Sequence, residues 1–190
     1  IFTVGQLTSL IGTWAQRVAV GWLAWELSHS AFWVGAVSFA GLFPGALVGP
    51  FAGSVIDSVN RFRLLKITQT AFLLQASLLA LLTLAGWISL PLLIALEAIL
   101  AVITAFDVPT RQSFVIEMVG KADLANAIAI NSTAVNIARM LGPVVAGLII
   151  VSMDIGEAFL FNALSYAAVL ASLALMHLES RILEKRTQPM

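Results

Sequence analysis

Apolar residues run along this chain in long blocks, and most of those blocks carry no polar face. A membrane-spanning helix needs about 20 mostly apolar residues. Six blocks have that length, at roughly 2–27, 32–56, 64–86, 90–108, 124–152 and 156–178. The connections between them are short: His29-Ser30, Asn60 to Arg63, Ile88-Ser89 and Asp154-Ile155. One is longer, from Pro109 to Asp123. Pro109 is expected to end the fourth helix, because proline lacks the amide proton and crowds the preceding turn. Phe114, Val115, Met118 and Val119 then read as a short amphipathic turn along the membrane surface, and Asp123 as the N-cap of the fifth helix. From Glu179 to Met190 the chain is polar and reads as a linker or truncated tail. The chain opens at Ile1 inside an apolar segment, as a fragment would.

Composition agrees. Of 190 residues, 60% are hydrophobic and 11% charged, with a mean hydropathy of +0.99, against roughly a quarter charged in a soluble domain. Net charge is zero, so nothing points to nucleic acid. Cysteine is absent, which removes disulfides, thiolate metal sites and cysteine nucleophiles. The two histidines, His29 and His177, lie far apart and offer no metal pair. Eight of the ten basic residues (Arg61, Arg63, Lys66, Arg111, Lys121, Arg181, Lys185 and Arg186) fall on one side of the six spans. The opposite connections carry Glu26, Asp154 and Glu157 but no Lys or Arg. The excess of basic residues marks the cytoplasmic side, so both termini are expected there, in a bacterial-type cytoplasmic membrane.

In the second span glycines recur at 41, 45, 49 and 53, and Asp57 and Arg61 continue the spacing. Residues four apart lie nearly above one another on a helix, so a smooth groove leads into an acid and a base. Small residues let helices approach closely in lipid; generic packing explains the glycines but not the charged junction. The fifth span has a second such stripe, Ala134, Ala138, Gly142 and Ala146. The two spans also share a Gly-Pro pair, Gly49-Pro50 and Gly142-Pro143, followed by Gly53 and Gly147. The first lies in the cytoplasmic half and the second in the outer half, as three helices followed by three inverted ones would place them. Inverted repeats are a transporter feature.

Five ionisable side chains fall within the spans: Arg17, Glu26, Glu97, Asp107 and Arg139. A charge at mid-bilayer costs about 2.5–3.5 kcal/mol on insertion scales and persists when it is paired or lines a wet cavity. Arg17 and Arg139 are at a depth to meet Glu97, either as a static ion pair or as a polar wall facing substrate or protons. Glu97 and Asp107 are the candidate proton carriers, and Arg111, four residues after Asp107, could pair with it if Pro109 only kinks the helix. Trp25, Trp33 and Trp87 suit the outer interface, whereas Trp14 and Trp22 suit lipid or an aromatic substrate cavity.

The turn after the second span resembles motif A of the major facilitator superfamily through Gly53, Asp57 and Arg61, with Arg63 one residue late. Ser58 replaces the usual first arginine and Asn60 a common glycine, which weakens the motif's charge relay. Residues 138–147, with Arg139, Gly142, Pro143 and Gly147, resemble the antiporter motif C, Ala146 replacing one glycine. The stretch 107–132 is similar to the enterobactin-exporter and macrolide-efflux-like branch. The resemblance implies an all-α membrane fold of six helices in a 3+3 inverted repeat, one half of a twelve-helix transporter. It also implies that the first and fourth helices line a cavity, with Arg17, Glu97 and Asp107 near the path, and that the second and fifth meet a missing C-terminal half.

The expected function is proton-coupled efflux of small siderophore- or drug-like molecules by alternating access. Gly53, Asp57, Arg61 and Arg63 would serve gating, and Arg17, Glu97, Asp107 and Arg111 the proton or substrate pathway. No cofactor is expected, the proton gradient supplying the energy, and no enzymatic constellation is present. Expected partners are the lipid bilayer, a small-molecule substrate, and the C-terminal six-helix half or a second copy. The alternative is a non-transporting membrane scaffold or assembly subunit built on a half-transporter.

Overall fold

The computed structural model describes residues 2–119 and 124–175, and contains helices and short connections with no strand among them. In order these are α1 (Phe2–Ser28), α2 (Ala31–Ala40), α3 (Phe43–Ser58), α4 (Arg61–Leu84), α5 (Leu90–Val119), α6 (Leu124–Ser152) and α7 (Ile155–Leu175). By length and composition, α4, α5, α6, α7 and the combined α2–α3 segment can each cross a membrane. The sixth segment, α1, has 27 residues but dilutes its apolar run with Gln6, Gln16, Arg17 and Glu26. Asp123, Lys121, His177 and the polar tail lie outside the described residues, as do the side chains of Met118 and Val119.

Two boundaries differ from the sequence expectation, and both involve proline. The second span is not one helix over 32–56. It breaks at Gly41–Leu42, where Leu42 leaves helical geometry at φ −124°, ψ −48° and Pro44 follows within the first two positions of α3. The Pro44 ring cannot donate to the Ala40 carbonyl and crowds it. The break stays closed, because Gly41 N–H donates to Val37 O and Leu42 N–H to Phe39 O, each at 3.0 Å.

Pro109 does the opposite: α5 passes through it to Val119. Proline within a membrane helix is tolerated where neighbouring groups hold the turn together. Here the Arg111–Asp107 ion pair (3.3 Å) spans it, and the Thr110 hydroxyl donates to Phe106 O at 2.6 Å. Beyond it Phe114 is buried with Leu65, Val169 and Leu173 and stacks on Phe62 at 5.8 Å. The expected surface turn through Phe114 and Val115 is therefore a helical turn anchored in the bundle.

The core lies where α1, α4, α5 and α7 meet. Half of the positions in α7 are buried, against 6% in the α2–α3 segment and 17% in α6. Those last two sit on the outside, with Phe51, Met140 and Val151 more than two-thirds exposed. The pairings are reciprocal: α1 packs on α6 and α7, α5 on α3 and α4, and α4 on α7. The largest apolar cluster joins Leu23, Val37, Leu79, Leu93, Leu96 and Phe159, toward the poorly charged ends of their helices.

Buried amides bind the core together. Asn162 Nδ2 donates to Gln16 Oε1 at 2.7 Å, Gln16 Nε2 to Gln75 Oε1 at 3.2 Å, and Gln75 Nε2 to Leu96 O at 3.4 Å. Such bonds act as glue between helices that gain little from hydrophobicity in lipid. A Cβ on Gly12 would stand 2.8 Å from Ser165 Oγ and 3.2 Å from Asn162 Cα. That glycine lets α1 close onto α7 at the level of the network.

Candidate functional site: a one-sided cavity with unpaired arginines

A cavity of about 570 Å³ opens between α1, α5 and α6, with Gln69, Phe72 and Tyr166 at its back. Its lining comes from the first half of α1 (Ser9 to Arg17), the second half of α5 (Leu100 to Ile116) and the first half of α6 (Ala127 to Val135). All three stretches lie toward the end of the bundle that holds Arg61, Arg63 and Lys66. At the other end the large apolar cluster fills the space between the same helices. The bundle is open on its basic side and packed on the other.

The charges in and around the cavity are disposed unequally. Asp107, 1% exposed, has three partners: its Oδ1 accepts from Thr68 Oγ1 at 2.7 Å and Gln69 Nε2 at 2.8 Å, and its Oδ2 pairs with Arg111 Nη2 at 3.3 Å. Four groups from α4 and α5 thus share one neutral cluster. Arg17 and Arg139 do not come within the ion-pair distance of Glu97 that the sequence suggested, although Arg17 is the charge that Glu97 feels through space. Their guanidinium carbons instead lie over the Trp14 ring, at 4.9 Å and 5.1 Å from its centroid. Cation–π attraction accounts for this choice, and Trp14 lines the cavity rather than lipid.

Glu97 sits away from the cavity lining. The residue is 6% exposed, its Oε1 has no hydrogen-bond partner among the described residues, and Oε2 would lie 2.9 Å from a Cβ on Gly41. It faces the break between α2 and α3. Glu26 accepts from Trp22 Nε1 at 2.7 Å on an exposed face.

The glycine groove divides. Gly41 meets Glu97, and a Cβ on Gly45 would be 2.7 Å from Ala101 O, so this upper half packs on α5. Gly49 and Gly53 have nothing within 4 Å, so only the lower half is free for a partner outside the chain. The two Gly-Pro pairs differ likewise. Gly142 is closed against Trp14 Cβ and the Ala15 backbone, whereas Gly49 is open. Ala138 and Ala146 are buried on the Gly142 face, while Gly147 is open. At the junction, Asp57 pairs with Arg61 at 3.8 Å, and Asn60 caps α4 by accepting from the Arg63 N–H at 3.0 Å. The Arg63 side chain is exposed.

Sequence reasoning missed Gln16, Gln69, Gln75 and Asn162. Their signal was present as amides inside apolar spans, where an unpartnered polar group costs several kcal/mol, roughly. No group of three or more His, Asp and Glu residues able to hold a metal occurs among the described residues.

A profile of the transmembrane secretion effector family matches residues 1–186. The chain belongs to that family, within the major facilitator superfamily. The chain is 29% identical over 182 residues to the staphyloferrin A transporter of Staphylococcus aureus (strain NCTC 8325 / PS 47), a match covering 95% of this chain and 46% of that protein. It thus spans about half the length of the curated relative it matches. No solved structure matches it significantly. The family places the chain among integral membrane transport proteins, which are not enzymes and work without a cofactor.

Proposed function

We propose that residues 1–178 are the N-terminal six-helix half of a proton-coupled exporter of small, siderophore- or drug-like molecules, with 179–190 leading toward a second half. The observation that carries this reading is the one-sided cavity: space on the basic side of α1, α5 and α6, and apolar packing on the opposite side. A half-bundle in that arrangement suits the inward-facing stage of an alternating-access cycle. Basic residues on the cavity side favour cytoplasmic termini and a cytoplasmic-membrane location.

The reciprocal packing supports a 3+3 inverted repeat. Exchanging α1 with α5, α2–α3 with α6 and α4 with α7 turns the α1–α6 contact into the α5–α3 contact, and the α1–α7 contact into the α5–α4 contact. The sparsely buried outer segments, α2–α3 and α6, supply the surface on which the second half would rock. Gly53, Asp57, Arg61 and Arg63 would hold the cytoplasmic side closed in the outward stage. Glu97, facing the break beside Gly41, and Asp107 remain the candidate proton carriers.

The staphyloferrin A transporter makes molecules of that kind a reasonable first substrate set. The test is accumulation of such compounds in cells with and without the full-length gene, each with and without an uncoupler. Export predicts lower accumulation with the gene and loss of the difference on uncoupling. Higher accumulation with the gene, or a difference insensitive to the uncoupler, refutes proton-driven export.

A further inference from the structure

We infer that Arg17 and Arg139, gathered on Trp14, form an anion-recognition site, so that the transported molecule carries a carboxylate or comparable anionic group. This inference rests on the transporter reading and assigns its substrate class.

The argument is one of charge balance. Three charged side chains line the cavity: Arg17, Asp107 and Arg111. Two of them cancel, because Asp107 and Arg111 pair at 3.3 Å and the remaining Asp107 oxygen is occupied by Thr68 and Gln69. The Asp107 charge is thus already balanced by Arg111. Arg17 has no ion-pair partner among the described residues, Glu97 acting on it only through space, and Arg139, outside the cavity lining, shares the Trp14 ring with it. Neither arginine has an acid within ion-pair distance among the described residues, Glu97 included. Both lie near the middle of their helices, 17 in α1 (Phe2–Ser28) and 139 in α6 (Leu124–Ser152), and both are exposed.

Two guanidinium groups at that depth are costly unless water or an anion reaches them, and an anion meets their charge as well as their donors. Trp14 disperses part of the charge but leaves the planar N–H donors of each guanidinium open. Those donors match a carboxylate in a bidentate fork, which a lysine ammonium cannot reproduce. The arrangement is also preorganised. Gly142 lets α6 close onto α1 at Trp14, and this close approach brings Arg139, one turn earlier on α6, to the ring that Arg17 shares.

The experiment uses the full-length protein in nanodiscs and two dyes with a common xanthene frame and opposite charge, carboxyfluorescein and rhodamine 123. Equilibrium binding is read by fluorescence polarisation, and transport by counterflow in proteoliposomes. Carboxyfluorescein is expected to bind in preference to rhodamine 123. Arg17→Gln and Arg139→Gln should each weaken that binding about tenfold or more, and Arg17→Lys should retain only part of it. Preference for rhodamine 123, equal binding of both dyes or binding of neither overturns the site. So do glutamine variants that bind as the parent does while losing yield or monodispersity, since the arginines would then serve packing. Carboxyfluorescein binding that needs both arginines, without counterflow of either dye, sustains the site and refutes transport.

Discussion

Replacing Gly142 by alanine should push α1 and α6 apart, and the size of the effect follows from three contacts. A methyl group at 142 would lie 3.1 Å from the Ala15 nitrogen, 3.1 Å from the Trp14 carbonyl carbon, and nearer still to Trp14 Cβ. Favourable contacts between carbon atoms sit at about 3.5–4.0 Å. Every offending atom is backbone or Cβ, so no rotamer change relieves the overlap and the helices themselves must move. Overpacking of this kind costs about 1–3 kcal/mol, partly offset by the roughly 1 kcal/mol that alanine gains over glycine in a helix. Gly147→Ala is the natural comparison. It lies on the same helix, has nothing within 4 Å, and takes the helical gain without the clash. The difference between the two variants of this 190-residue chain in detergent isolates the packing term. At about 2–4 °C per kcal/mol for this length, Gly142→Ala should melt several degrees below Gly147→Ala. Equal melting temperatures would refute the close approach and, with it, the geometry that brings Arg139 to Trp14.

Four further outcomes are expected. Arg111→Gln leaves the buried Asp107 carboxylate without its cation and should destabilise by about 3–5 kcal/mol; adding Asp107→Asn should recover much of that, and a double variant worse than the single would exclude the pair as described. Gln16→Leu strands Asn162 and Gln75 together and should cost about 1–3 kcal/mol, read as a lower melting temperature, whereas an unchanged one would mean that the amides find other partners. Gly45→Leu should destabilise the chain by forcing α3 off Ala101, whereas Gly49→Leu should leave its melting temperature intact and impair only transport by the full-length protein; equal melting losses would contradict the division of the groove. Because the chain has no cysteine, Asn60→Cys and Lys121→Cys can be labelled without background; both should react from one face and Ser89→Cys from the other, and any other distribution would invert or dismantle the topology.

The span pattern was legible because a run of about 20 apolar residues needs little context. Context decided the prolines. Pro44 and Pro109 each forfeit one helical bond, yet the helix stops near the first and continues through the second. What separates them is tertiary: Asp107 and Arg111 bridge Pro109 and Phe114 is buried beyond it, whereas Leu42 and Phe43 before Pro44 are exposed. The arginines show a similar limit. Sign alone pairs Arg17 and Arg139 with Glu97, but only packing reveals that Trp14 lies within reach of both. The motif-like glycines were visible, but their division into packed and open positions depends on where α5 and α1 pass. The buried amides escaped notice because they are uncharged and interrupt the apolar blocks one residue at a time.

The uninterrupted course of α5 has a mechanical consequence. At 1.5 Å per residue, its 30 residues span about 45 Å, well beyond a hydrocarbon layer of roughly 30 Å. Glu97, Asp107 and Arg111 therefore ride on one long shaft whose far end stands clear of the oil. A few degrees of tilt deep in the bilayer become a displacement of ångströms at its watery tip, where a reporter group could register the stroke without touching the binding chamber.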